Sequence, residues 1–215
     1  RDHGRWIATV RDADGKLKNI EARMLIDATE LGDVAKMAGV KYDVGMESRN
    51  DTHEDIAPEY ANNIIQDLTW VATLKDFGKD VTIPRPASYN REDYVCCSFN
   101  DLCTEPKEPA RMRVPAEMIT YGKLPNNKYM INWPGSGNDY YTNVIDLDRE
   151  AREVEFAKAR EFTLGFVYFL QTELGFNNLG LADDEYPTED RLALIPYHRE
   201  SRRIHGLVRY DLNDM

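Results

Sequence analysis

The chain has 215 residues, 42% of them apolar, with a formal net charge of −11 and a pI near 4.9. That length and apolar content suffice for one or two globular domains with a buried core. The acidic balance argues against a nucleic-acid partner, since phosphate binding draws on clustered Lys and Arg. No run reaches the roughly 20 apolar residues of a membrane helix, so no membrane partner is expected.

Residues 6–10 alternate apolar and polar, Asp14-Gly15 supplies a turn, and residues 17–22 alternate again. This predicts a β-hairpin. The run Arg23–Asp33, RMLIDATELGD, follows. Met24, Leu25, Ile26 and Ala28 bracket Asp27, and Thr29, Gly32 and Asp33 lead into an apolar-periodic run to Val40. The pattern predicts a buried parallel strand that ends at a glycine turn beside a ligand. A strand ending in Asp-Ala-Thr also occurs in α/β proteins without one.

Residues 47–54 are polar and irregular, as a loop between domains would be. His53, Glu54 and Asp55 are adjacent there and do not converge on one ion, so no metal is expected. Residues 67–74 read as a strand rich in β-branched and aromatic side chains, ended by Ile83-Pro84-Arg85-Pro86. Five prolines from Pro84 to Pro115 mark long loops. Cys96 and Cys97 are adjacent, Cys103 is nearby, and the spacing is not that of a zinc site. A vicinal pair can form a strained disulfide or a redox dyad, but buried strand cysteines are the expectation. Residues 117–121 and 128–133 predict two strands of an antiparallel sheet around a Gly-Lys-Leu-Pro-Asn-Asn turn.

Residues 131–143, INWPGSGNDYYTN, combine a flexible glycine turn with Trp133, Asn138, Asp139 and Tyr140. Such groups stack on and hydrogen-bond polyhydroxylated ligands; a structural loop capped by aromatics would use the same residues. The GxGxxG spacing of a phosphate cradle is absent. Residues 148–174 predict the clearest helix, apolar nearly all round in its second half, with Gly165 admitting a close neighbour and Gly175 ending it. The aromatics of this helix read as core. Residues 194–204, LIPYHRESRRI, place three arginines and a glutamate within five residues, ahead of an alternating strand at 204–210. A solvated charged face is the ordinary reading of such a run.

Asp27–Asp33, with Ala35, Ala38-Gly39-Val40, Tyr42 and Gly45, resembles the DATxxGD-x-A-x-x-AG segment of a bacterial family of FAD-dependent oxidoreductases. INWPGSGNDYYTN is similar to that family's N-W-(loop)-N-D-Y pattern near the substrate face. PYHRESRR resembles its P-Y-x-R-E-x-R-R segment, where the chain returns toward the flavin. The resemblance implies an α+β or α/β chain in three parts. Residues 1–46 would be part of a glutathione-reductase-like FAD-binding domain, 47–192 an antiparallel-sheet substrate domain with a long helix, and 193–215 a return segment.

The resemblance further implies FAD as cofactor, with Ala28, Thr29, Gly32, Asp33 and Arg203 lining it. Arg199 and Arg202 would be catalytic, stabilising charge on a reduced flavin or holding an anionic substrate group. Trp133, Asn138, Asp139 and Tyr140 would face substrate, and His198 is not expected to act as acid or base. The family pattern also contains a strand-GxGxxG-helix and a closing carboxyl-terminal segment, and this sequence shows neither. The expectation is an interior segment of a longer flavoprotein, with the rest of that chain as partner and only weak FAD binding by itself. The parent would pass a hydride between a small or carbohydrate-like substrate and FAD.

A rival reading is a carbohydrate-active protein, either a polysaccharide lyase or a sugar-binding module, with Tyr140, His198 and Arg199 recruited as base and uronate-holding groups. A third is a purely structural domain. Localisation stays open on the sequence.

Overall fold

The computed structural model describes residues 4–107 and 109–215. In chain order its elements are β1 (Trp6–Arg11), β2 (Leu17–Ala22), α1 (Asp33–Met37), β3 (Tyr42–Asp43), α2 (Arg49–Thr52), β4 (Leu68–Thr69) and β5 (Ala72–Asp76). There follow α3 (Pro115–Tyr121), β6 (Lys123–Leu124), β7 (Lys128–Ile131), β8 (Asp139–Tyr140), α4 (Arg149–Thr172), β9 (Leu179–Leu181) and β10 (Arg203–Ile204). The chain forms two compact units: Arg1–Asp43 with Ser201–Tyr210, and Val44–Glu200 with Asp211–Met215.

In the first unit β1 and β2 pair antiparallel from Trp6↔Ala22 to Arg11↔Leu17, as the alternation predicts. Asp12 fastens the turn by accepting the N–H groups of Asp14 and Lys16 at 3.1 and 2.9 Å. The expected buried strand at 23–28 is a correction: the segment has no strand hydrogen bonding, and Met24 and Ile26 are 76% and 79% exposed. A parallel strand is buried only between neighbouring strands, and none pairs with it among the described residues. β3 and β10 close the unit by antiparallel pairing, Asp43 opposite Arg203. The Asp43 carboxylate accepts from His205 Nε2 at 2.9 Å and Arg209 Nη2 at 2.7 Å. The hydrogen bond from His205, helped by the nearby arginines against the cost of burial, holds its carboxyl below the usual range. The expected strand at 204–210 shrinks to the β10 pair, because its partner β3 is itself only two residues long.

The second unit is built on an antiparallel sheet of order β6-β7-β5-β9. The predicted strand at 67–74 is broken in two, β4 pairing with β8 while β5 enters the larger sheet. Residues 117–121 are helical, not extended. Pro115 at the first turn of α3 presets the helical φ, and Met118 and Ile119 turn into the core. Helix α4 begins where Asp148 Oδ1 accepts the Ala151 N–H at 2.8 Å; it ends at Thr172 with Glu173 as its cap, and Gly175, with φ 78°, turns the chain away just beyond.

The buried half of α4 includes Phe166, Val167, Phe169 and Leu170. Tyr94 packs against Phe162, Phe166 and Phe169, and its hydroxyl donates to the Phe162 carbonyl at 2.9 Å. A Cβ on Gly165 would collide with that hydroxyl, which is the close approach expected of this glycine. Burial raises the Tyr94 phenol well above its ordinary pKa.

The cysteines depart from expectation. Cys96 is disulfide-bonded to Cys103, and Cys97 is a buried free thiol on a turn rather than in a strand. Adjacent residues on a tight turn point apart, so Cys96 reaches across its loop. Burial pushes the Cys97 thiol up to about 12.

Candidate functional site

Strand pairing in the second unit assembles a charged cluster. Leu68 faces Tyr140 and Thr69 faces Asp139 across β4 and β8. Thr69 also exchanges backbone hydrogen bonds with Tyr197, at 3.1 and 2.8 Å. Arg199, two residues on, therefore lies near the same sheet, its guanidinium 5.2 Å from the centre of the Tyr197 ring.

Arg199 ties three segments together. Nη1 donates to the Asp67 carbonyl at 2.9 Å, and Nη2 donates at 2.9 Å both to Asn132 Oδ1 and to Asp139 Oδ1. The Asp139 carboxylate also accepts from the Thr69 hydroxyl. The two side chains are 20% and 10% exposed, so salt and water screen this ion pair less than they would a surface bridge. Burial, with the Asp139 charge beside it, raises the Asp67 carboxyl above its ordinary value, and Arg199 offsets this in part.

This cluster borders a cavity of about 320 Å³. Asp67 and Asp139 line it together with Trp133, Lys107, Arg111 and Met112, and the Cys96 end of the disulfide also reaches it. Ligand sites run from roughly 300 Å³ upward and combine apolar walls with a few polar groups. Trp133 and Asp139, both singled out by the sequence, meet here.

Asn138 and Tyr140 do not line the cavity. Asn138 is 0% exposed and holds the loop from inside. It accepts from Trp133 N at 2.9 Å and donates to the carbonyls of Ile131 and Trp70 at 3.0 and 3.2 Å. Tyr140 alternates to the other face of its strand, where its ring centre is 5.5 Å from that of Phe162. The Trp133 indole N–H is bonded to the Cys97 carbonyl at 2.7 Å. His198 packs on Phe156. Asp67, Lys107, Arg111 and Met112 escaped sequence reasoning, because no short motif contains them.

In the first unit, DATELGD is a self-bonded turn. Asp27 accepts from the Thr29 N–H and hydroxyl at 2.9 and 2.7 Å, and from Ala35 N at 2.7 Å. Thr29 Oγ1 in turn accepts from Asp33 N at 2.8 Å. The bonds that Asp27 accepts, the one from the Thr29 hydroxyl first, hold its carboxyl below its ordinary range. Gly32 has φ 69°, a left-handed conformation that side-chain-bearing residues rarely adopt.

Arg202, 1% exposed, is buried under this turn and donates to the Leu31 carbonyl at 2.6 Å and to Asp33 at 2.8 Å. Its guanidinium lies 5.2 Å from the centre of the Tyr42 ring. It therefore braces the turn rather than facing solvent. Arg203 extends β10 beside Asp43. Arg199 and Arg202, paired as catalytic groups by the sequence, belong to different units.

The architecture is mixed α/β with antiparallel sheets, compatible with a domain of a flavin-dependent oxidoreductase. The family model described as FAD dependent oxidoreductase matches residues 2–215, and the chain belongs to that family. No curated protein and no solved structure matches it. Among the described residues no helix is long and apolar enough to cross a membrane.

FAD is the cofactor of the parent family. The turn fits one edge of such a group: Ala28 and Thr29 are exposed, and Gly32 adds no side chain.

Proposed function

We propose that the chain contributes part of a glutathione-reductase-like flavin domain and the substrate domain of an FAD-dependent oxidoreductase. Its reaction passes a hydride between a small polar substrate and the flavin. The first unit holds the cofactor edge with Ala28, Thr29, Gly32 and Asp33, and Arg203 adds positive charge; Arg202 keeps that turn in shape. The second unit holds the substrate in its cavity, against Trp133 and Asp139, with Arg199 fixing the Asp139 carboxylate. Bound FAD supplies the hydride acceptor.

The observation that carries this reading is the family match over residues 2–215. The carbohydrate alternative finds less support, since the Asn138 amide and the Trp133 indole N–H are already used internally. The test is flavin retention, read by absorbance in protein expressed from its full reading frame. Gly32→Val forces a β-branched residue into the left-handed region, which costs roughly 1–2 kcal/mol or more. Flavin affinity is expected to fall by about tenfold or more. Colourless wild-type protein after purification with added FAD would overturn the proposal.

A further inference from the structure

We propose that the Cys96–Cys103 disulfide is a thiol–disulfide exchange site, attacked at Cys96 by a small-molecule thiol that enters through the cavity of the second unit. This goes beyond the oxidoreductase reading and does not depend on it.

Position singles out Cys96. It borders the cavity, and Cys103 is not among the described residues that line it. Both are half-buried, whereas Cys97 is 1% exposed. Exchange at a disulfide depends on which sulfur an incoming thiolate can reach, and exposed bridges are the labile ones.

The loop keeps its shape without the bond. Asn100 donates its amide to the Val95 and Ser98 carbonyls, each at 2.9 Å, and its Oδ1 accepts the Leu102 N–H at 2.9 Å. The Cys103 N–H is bonded to the Asn100 carbonyl at 3.2 Å, and the Phe99 N–H to the Arg113 carbonyl at 2.8 Å. None of these bonds involves sulfur, so reduction leaves the two thiols within reach of each other and the bridge can re-form. The Cys96 sulfur is also 3.8 Å from the Glu105 carbonyl, an acceptor for its thiol once reduced. A bridge between residues only 7 apart closes a short loop, the case in which a cross-link restrains the unfolded chain least.

Cys97 stays out of the exchange although it touches the same cavity wall. Its thiol is turned inward to the Ser98 hydroxyl, 3.8 Å away, and burial holds it protonated. Only a thiolate attacks a disulfide. Three cysteines between positions 96 and 103 therefore reduce to one two-electron pair.

The chemistry balances with a small thiol, RSH, as reductant. Its thiolate attacks Cys96 Sγ, a bond from that sulfur to RS forms, the bond to Cys103 breaks, and the Cys103 thiolate takes up the proton that RSH gave up. A second RSH attacks the RS sulfur of the mixed disulfide, releasing RSSR and the Cys96 thiol. Two RSH are oxidised and the protein disulfide is reduced; RSSR drives the reverse.

The test is differential alkylation with peptide mass spectrometry, on folded protein expressed from its full reading frame and equilibrated in millimolar glutathione and glutathione disulfide. Cys96 and Cys103 are expected to become alkylated together, and Cys97 only after unfolding in urea. In Cys103→Ser, Cys96 should take up glutathione from its disulfide, and in Cys96→Ser, Cys103 should do so about tenfold more slowly, the difference being access. Cys97→Ser should exchange as the wild type does, with circular dichroism checking that each variant folds. A wild-type pair that stays oxidised in folded protein and is reduced only in urea overturns the proposal and makes the bridge a structural staple. So does equal uptake at Cys96 and Cys103, a Cys97 disulfide recovered from folded protein, or reduction by thioredoxin but not by glutathione. No readout involves flavin, so failure here leaves the oxidoreductase reading standing, and protein that never retains FAD leaves this inference standing.

Discussion

Asn138 and Asp139 are neighbours with different duties, set by which side of the loop each faces. Asn138 gives one acceptor and two donors to backbone groups of its own unit, one of them the Trp70 carbonyl. Asn138→Leu would keep the volume and leave those groups without partners. An unsatisfied buried polar group costs about 1–3 kcal/mol, so the variant is expected to lose at least about 2 kcal/mol in urea unfolding. Loss of less than a few tenths would show that the loop refills its hydrogen bonds. Asp139 keeps its orientation through Arg199 and Thr69 and presents its remaining edge to the cavity. The same contrast separates the two arginines: Arg199 organises the cavity wall, whereas Arg202 is buried under the DATELGD turn.

Helix α4 carries the core of the second unit, and at Gly165 a neighbour comes too close for a side chain. Alanine there would gain about 1 kcal/mol of helix propensity. Its Cβ would meet the Tyr94 hydroxyl, and that ring is packed among Phe162, Phe166 and Phe169 and tied to a helix carbonyl. Overpacking a fixed neighbour costs typically 1–3 kcal/mol. Gly165→Ala is therefore expected to destabilise the chain by about 1–2 kcal/mol net in chemical denaturation. Removing the hydroxyl with Tyr94→Phe should recover part of that loss in a double-mutant cycle. A stabilised Gly165→Ala variant would mean that Tyr94 has room to move. Near this core, the Cys96–Cys103 bridge closes a short loop whose Cys96 end reaches the cavity wall.

At the scale of the whole molecule the two units differ in how much they bury. Among the described residues of the first unit only Leu31 and Arg202 are fully buried, whereas the second holds Trp70, Leu74, Phe166, Phe169 and many others. Local stability follows buried apolar contact. Hydrogen exchange followed by mass spectrometry should show the β1, β2, β3 and β10 amides exchanging on the order of a hundredfold faster than those of β5 and β7. Equal protection of both sets would contradict this ordering. The exposed Met24 and Ile26 belong to the same picture, since a hairpin and a short helix offer them too little surface to pack against.

The sequence by itself determined what depends on neighbours along the chain. The hairpin followed from alternation and Asp-Gly, and α4 from its period and its Asp148 cap, with Gly175 just past its end. Membership in an FAD-dependent oxidoreductase family is likewise carried by the sequence, whose match to the family runs over residues 2–215. Local preference misled where context overruled it: Met118 to Tyr121 carry strand-like residues, yet Pro115 starts a helix, and Met24 to Ile26 are apolar yet exposed.

Only the tertiary structure decided the cavity. Asp67, Lys107, Arg111, Trp133 and Asp139 come from segments far apart in sequence. Which side chain faces a cavity depends on strand register and on partners such as Arg199, and neither is written in any short stretch of residues.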